Sequence, residues 1–273
     1  MNYRHIYHAG NFADVMKHLV LCLALDHFKK KEAGFCVIDA HGGLGLYDLS
    51  SIEAQKTNEY KAGIGRFDEA SGMPPDFALY YDLIRPFYQK NAYPGSPLLC
   101  AQMLRGQDRL IANELHPQDY ETLAHNLRGF KNARVTHLDA YELIRANLPP
   151  REKRGIVLID PPFEKTDEFE KLIRQMQEWK KRFATGCFIL WYPVKAHLNV
   201  DAMLGAAKTL GLPRTWYCET LLHPRGQEST FNGCGFVLFN APYQIPERME
   251  ALLPFMARKL GLHSHPHGWL TAE

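Results

Sequence analysis

Ile156-Val157-Leu158-Ile159-Asp160-Pro161-Pro162-Phe163 is the stretch that decides the fold of this chain. A short continuous apolar run, closed by a carboxylate and two prolines, reads as a strand buried on both faces followed by a stiff turn. The same grammar occurs in Phe35-Cys36-Val37-Ile38 with Asp39, in Leu110-Ile111-Ala112-Asn113-Glu114, in Arg134-Val135-Thr136-His137-Leu138-Asp139 and in Cys187-Phe188-Ile189-Leu190-Trp191-Tyr192. Helix-like stretches over 118–129 and 167–183 lie between these runs, and strands alternating with helices imply a parallel sheet covered on both faces.

Outward from that frame, Thr215 to Leu221 and Gly235 to Asn240 are two strands with no helix between them, which suits an antiparallel hairpin. The expected architecture is an α/β, Rossmann-like sheet of seven strands with helices on both faces and a small helical insertion. From Asn11 to Lys31, Val15, Leu19, Cys22 and Leu23 recur at helical spacing, with Asn11 as N-cap and lysines at the end. About 60 residues separate the Gly42-Gly43-Leu44-Gly45 turn from the next strand, far more than a crossover needs. The division expected is therefore a core of residues 1–47 and 96–273 with an N-terminal lid segment, and an inserted helical subdomain over 48–95 that could cover the active site. Leu262 to Glu273 reads as a loose tail.

Composition narrows the function classes. Hydrophobic residues at 46% and charged residues at 23% are the balance of an ordinary globular chain, and no apolar run is long enough to span a bilayer. The N-terminus lacks the pattern of a signal peptide, so a cytoplasmic protein without membrane association is expected. The six cysteines form no Cys-x-x-Cys pair, which favours buried thiols and no metal site. His263, His265 and His267 alternate in the tail, where a flexible segment is expected over a chelate. A net charge of +2 does not by itself announce a nucleic-acid binder.

Ligands of open α/β sheets bind beyond the carboxyl ends of the strands, and the acidic residues fall there. The glycine turn lacks the third glycine of G-x-G-x-x-G, because Asp48 stands in its place, so S-adenosylmethionine suits it better than a dinucleotide. Glu114 can accept both hydroxyls of a ribose, and Asp139 can accept the amine of the cofactor's adenine, although either could be only an N-cap or turn residue. An exocyclic adenine amine is a poor nucleophile because its lone pair is delocalised into the ring. Two acceptors aimed at its protons, the Asp160 carboxylate and the Pro161 carbonyl, would offset the charge that develops on the nitrogen. Phe163 could stack on an extruded base. Lys17, on the first helix, could pair with the cofactor's carboxylate. Tyr3 and His5, upstream of it, could close over the reacting groups.

Several segments together closely resemble the bacterial 23S rRNA adenine-N6 methyltransferases of the RlmJ family. They are Tyr3-Arg4-His5-x-x-His8-Ala9-Gly10-Asn11-x-Ala13-Asp14-Val15-x-Lys17-His18, Asp39-x-His41-x-Gly43-x-Gly45-x-Tyr47, Tyr93-Pro94-Gly95-Ser96-Pro97, Glu114-Leu115-His116-Pro117 and Asp160-Pro161-Pro162. The likeness runs from residue 3 to about 260. It implies a Rossmann-like class I S-adenosylmethionine methyltransferase core with a helical insertion, S-adenosylmethionine as methyl donor and an adenine of 23S ribosomal RNA as target; RNA that is protein-free or in an early assembly intermediate, and a monomeric enzyme, are the accompanying expectations. By the same resemblance, Lys17, His18, His41, Gly43, Ser96, Glu114, Asp139, Ala140 and Asp160 contact cofactor or active site. Asp160, Pro161, Phe163, Tyr3 and His5 form the catalytic group, with Tyr3 and His5 as its mobile lid. Two positions depart from the family pattern: Phe163 where tyrosine is usual, and Ala140 where glycine is common.

Two other functions compete. A DNA adenine-N6 methyltransferase would share the catalytic loop, but the chain has no separate target-recognition domain. A non-catalytic nucleic-acid-binding protein for use of external DNA would leave the acids at successive strand ends without a purpose.

Overall fold

The computed structural model describes residues 4–67, 72–163, 168–195, 198–226 and 231–271. In chain order the elements are α1 (Phe12–Lys29), β1 (Cys36–Asp39), β2 (Leu46–Asp48), α2 (Ile52–Thr57), α3 (Glu59–Ala62), α4 (Pro75–Tyr88), β3 (Ala92–Pro94), α5 (Ser96–Met103), β4 (Arg109–Asn113) and α6 (Pro117–Leu127). There follow β5 (Ala133–Thr136), α7 (Ala140–Asn147), β6 (Gly155–Ile159), α8 (Glu168–Arg182), β7 (Cys187–Lys195), α9 (Val200–Leu210), β8 (Thr215–Leu221), β9 (Phe231–Phe239), α10 (Ile245–Leu260) and β10 (His267–Thr271).

The main sheet has the order β10-β8-β9-β7-β6-β1-β4-β5. Strands β7, β6, β1, β4 and β5 run parallel, and β9, β8 and β10 are joined to them by antiparallel pairing. The chain winds outward from β1 through β4 to β5, then returns to place β6 on the other side of β1. That reversal opens the crevice in which doubly wound sheets take ligands. The apolar runs of β1 and β6 are buried along their whole length, as expected of strands covered on both faces.

An eighth strand joins the seven expected. Residues read as a loose tail include β10, which pairs with β8 through Trp269 opposite Trp216. Its run His267-Gly268-Trp269-Leu270-Thr271 is too short and too polar to announce itself, and only the exposed edge of β8 gives it a partner.

Helix α1 begins where Asn11 Oδ1 accepts the Asp14 amide at 2.9 Å. It is buried on every side from Ala13 to Leu25, so it is a core helix rather than a surface one. Residues 52–88 supply the helices after the glycine turn, and the stretch is pinched at its base by the antiparallel pair β2 and β3, with Tyr47 opposite Tyr93. Its apolar side chains share one continuous core with α1 and α10. Phe77 packs on Phe67 at 4.4 Å and on Phe255 of α10 at 5.2 Å between ring centroids. Among the described residues no helix is long and apolar enough to cross a membrane.

Candidate active site

Asn113, the last residue of β4, sets the floor of the crevice. Its side-chain amide donates to the Ala40 and Leu138 carbonyls at 3.2 and 2.9 Å, and its Oδ1 accepts from the Leu138 amide and the Thr136 hydroxyl. Its backbone carbonyl accepts the Gly42 amide at 2.7 Å. One buried asparagine thus ties the ends of β1, β4 and β5 together. The turn above it is held free of side chains: a Cβ on Gly42 would meet Leu123 at 2.9 Å, and one on Gly43, whose φ is +59°, would fall 2.0 Å from the Tyr47 hydroxyl.

Glu114 is aimed by two amides. Its Oε2 accepts from Gly43 at 2.9 Å and its Oε1 from His116 at 2.8 Å, while burial pushes its carboxyl above the usual range. Asp139 does cap α7, accepting the Tyr141 and Glu142 amides on Oδ1 at 2.9 and 3.3 Å. The capping role and a place in the crevice coexist, because Oδ2 takes no hydrogen bond among the described residues. Ala140 follows at the first turn of that helix and also lines the crevice.

At the centre, Lys17 Nζ lies 2.5 Å from Asp160 Oδ2 and 3.0 Å from Asp14 Oδ1. Burial alone would lower the lysine's pKa, but the two carboxylates hold it well above the ordinary value. Asp14 is buried too, and the charges of His5 and Lys17 hold it well below the carboxylate range against that burial. His5 Nε2 donates to it at 2.8 Å, and the Gly10 amide at 2.9 Å. A buried charge is costly unless paired and hydrogen-bonded, and this cluster satisfies each of its members. His41 accepts the Asp160 amide on Nδ1 at 3.2 Å; burial brings its pKa down to about 4, so the imidazole is neutral. His18 is neutral as well, pushed by burial to about 3, with Nδ1 at 2.8 Å from the Tyr93 hydroxyl. Asp39, fully buried beside Ser96, is raised by desolvation to about 6.

Most of these groups border one cleft of about 540 Å³, with Asp39 and Tyr93 behind its lining. His5, Lys17, His18, His41, Gly43, Ser96, Glu114, Asp139, Ala140, Asp160 and Pro161 all line it, so the structure brings together nearly every residue singled out from the sequence. Tyr3 lies outside the described residues. Phe163 is not brought to the cleft: its ring is 4% exposed and packs against Phe169 at 5.2 Å and Trp191 at 5.9 Å. With φ at +49° the backbone turns the ring inward, so base stacking is not what this position supports. Nor does Lys17 stand ready for a cofactor carboxylate alone, since two protein carboxylates already flank it.

Sequence reasoning missed the far wall. Trp191, Pro193 and Lys195 recur at the two-residue period of β7 and line the cleft, as does Phe231, the register partner of Lys195 on β9. Alternation along the strand would have found them, but the apolar run was read only as far as Tyr192. Among the described residues no group of histidine, cysteine or carboxylate side chains is placed to hold a metal.

S-adenosylmethionine fits this site. The cleft has the volume of a small-molecule pocket, roughly 300–1,000 Å³ in general, and a side-chain-free turn is followed by an acid that two amides orient. A doubly wound sheet with that turn, those acids at successive strand ends and Asp-Pro-Pro after β6 defines a class I S-adenosylmethionine-dependent methyltransferase. Residues 32–271 match the family model described as ribosomal RNA large subunit methyltransferase D, RlmJ, and the chain belongs to that family. It is 38% identical to the ribosomal RNA large subunit methyltransferase J of Haemophilus influenzae and 35% identical to that of Escherichia coli, covering all of both chains in each case. A crystal structure of a Legionella pneumophila protein superposes with a TM-score of 0.86 at 30% identity, over 97% of this chain and 99% of that one.

Proposed function

We propose that this protein transfers a methyl group to the exocyclic N6 amine of one adenine in 23S ribosomal RNA. The observation that carries the proposal is the convergence of Asp160 and Pro161 with Glu114, Asp139 and Lys17 on one cleft. When bound, S-adenosylmethionine supplies a methyl group on a positively charged sulfur. Glu114 and Asp139, at the β4 and β5 side, bind and orient the nucleoside half of that cofactor. The target base enters from the β7 and β9 side, across Asp160, where Trp191 and Phe231 present rings to it.

Lys17 occupies Asp160 Oδ2 and leaves Oδ1 without a donor among the described residues. That oxygen and the Pro161 carbonyl accept hydrogen bonds from the two protons of the target amine. The nitrogen lone pair is thereby withdrawn from the ring as positive charge develops, an effect that fixed acceptors supply without reorganisation. The prolines fix the direction of the carbonyl, and His41 fixes the start of the loop through the Asp160 amide. Segment 4–14, with His5 anchored on Asp14, closes the cleft over the amine. The unit over 48–95 walls its mouth through Glu59, which binds His8 at 2.9 Å and Asn11 at 3.0 Å. Such an enzyme works as a monomer in the cytoplasm, on rRNA that is free of protein or early in assembly.

Incubating the protein with S-adenosylmethionine and 23S rRNA from a strain lacking it should yield N6-methyladenine at one position, with Asp160→Ala inactive. Tight DNA binding without transfer to RNA by the wild type would refute the proposal.

A further inference from the structure

A second cavity adjoins the cleft at the end of β7. Lys195 lines the active-site cleft on one side and, on the other, a second cavity of about 240 Å³ bordered by Val194, Leu198, Asn199, Asp201 and Arg225. Its ammonium has no carboxylate within ion-pair distance among the described residues. Arg225 is held from behind: its guanidinium pairs with the fully buried Glu219, whose other oxygen accepts the Tyr192 hydroxyl at 3.0 Å. The side chain is still 41% exposed and lies beside the exposed Asp201, 3.7 Å away. A guanidinium fixed in this way has already lost the rotamer freedom that binding would otherwise cost.

The sheet order says which ligand this second cavity adjoins. Asp160 follows β6; the acids that suit the cofactor follow β4 and β5, whereas Lys195 closes β7 and Arg225 follows β8, on the opposite side. A polymeric substrate whose reacting base sits against Asp160 must continue away from the cofactor. Among the described residues, the path over Lys195 carries an ammonium with no carboxylate partner and leads to a cavity bordered by Val194 and Leu198 and by Asn199, Asp201 and Arg225.

We infer that this cavity is a subsite for the nucleotide adjoining the target adenine on the substrate strand, with Lys195 contacting the phosphate that joins the two. The inference rests on the proposed RNA adenine methylation. Lys195 acts as a binding and positioning residue for RNA, and Arg225 borders the pocket of the neighbouring nucleotide.

The test uses the full chain, with 23S rRNA and then a fragment spanning the mapped adenine. Lys195→Ala should raise KM for RNA about tenfold and reduce the salt slope of binding by about 0.7, the share of one phosphate on a single strand. The dissociation constant for S-adenosylmethionine should stay within about twofold. Because Lys195 has no buried partner, this variant avoids the folding defect that replacing Arg225 would risk by stranding Glu219. Replacing each phosphate beside the adenine in turn with a neutral methylphosphonate should raise KM for the wild type at one of the two positions and add nothing in Lys195→Ala. An unchanged KM and salt slope in the variant, or additive losses with the methylphosphonate, overturns the subsite. A wild type that transfers no methyl group to RNA overturns instead the reading on which it rests.

Discussion

Lys17 Nζ bridges Asp160 Oδ2 at 2.5 Å and Asp14 Oδ1 at 3.0 Å, joining the first helix to the Asp160-Pro161-Pro162 loop across 143 residues of sequence. The bridge neutralises two carboxylates that the fold brings together in the cleft, and it occupies Oδ2 of Asp160 while Oδ1 has no donor among the described residues.

Removing that cation strands both acids. Lys17→Met should cost about 3–5 kcal/mol of stability in urea denaturation, the usual penalty for leaving a buried charge unpaired. Adding Asp160→Asn should recover part of the loss, giving a coupling of about 1–3 kcal/mol in the double-mutant cycle. Additive losses would show that the two side chains do not interact in solution.

Glu114→Gln keeps the size of the side chain but has one acceptor for the two amides of Gly43 and His116. With the charge also gone, affinity for S-adenosylmethionine in calorimetry should fall about 10- to 100-fold, the worth of a hydrogen bond to a charged group. RNA affinity measured without cofactor should be unaltered.

The two candidate base-facing rings separate cleanly from Phe163. Phe163→Leu removes volume from a packed cluster with Phe169 and Trp191, so it should lower stability by about 1–2 kcal/mol. It should weaken methyl transfer and cofactor binding in parallel. Phe231→Ala, at the cleft wall, should instead cut transfer at least tenfold with cofactor affinity preserved. The reverse pattern would return the stacking role to Phe163.

Acid titrates the buried histidines. His18, at about 3 when folded and near 6.5 when unfolded, has a depressed pKa, so the stability it contributes is present above pH 6.5 and lost as pH falls towards 3. His41 acts in the same sense down to about 4, and Asp39, raised to about 6, acts in the opposite sense between 6 and 3.8. Comparing His18→Gln with wild type cancels the other groups. From pH 7 to pH 5 the wild type should lose about 2 kcal/mol more than the variant in urea unfolding. Equal losses would mean that His18 is charged in the native state.

The strands and the acids that close them were legible because their pattern is local: a run buried on both faces must be apolar, and the residue that follows it faces the crevice. Asp160, Glu114, Asp139 and the glycine turn were readable on that basis. The N-terminal residues were readable only as a crowd of polar types, since nothing in residues 4–18 alone says that α1 is buried on every side. Tail residues 267–271 carried no pattern strong enough to foretell a strand that exists because β8 has an edge to fill.

Sequence by itself determined the alternation of elements and the place of the Asp160-Pro161-Pro162 loop after the strand ending in Ile159. Tertiary structure decided the rest: that Lys17 is shared between Asp14 and Asp160, that Phe163 turns into the core while Trp191, Lys195 and Phe231 wall the cleft, and that His18 and His41 are neutral. The physical reason is range. Strand period and turn chemistry are set within a few residues, whereas burial, ion pairing and the facing of a ring depend on chain segments that meet only when the sheet is assembled.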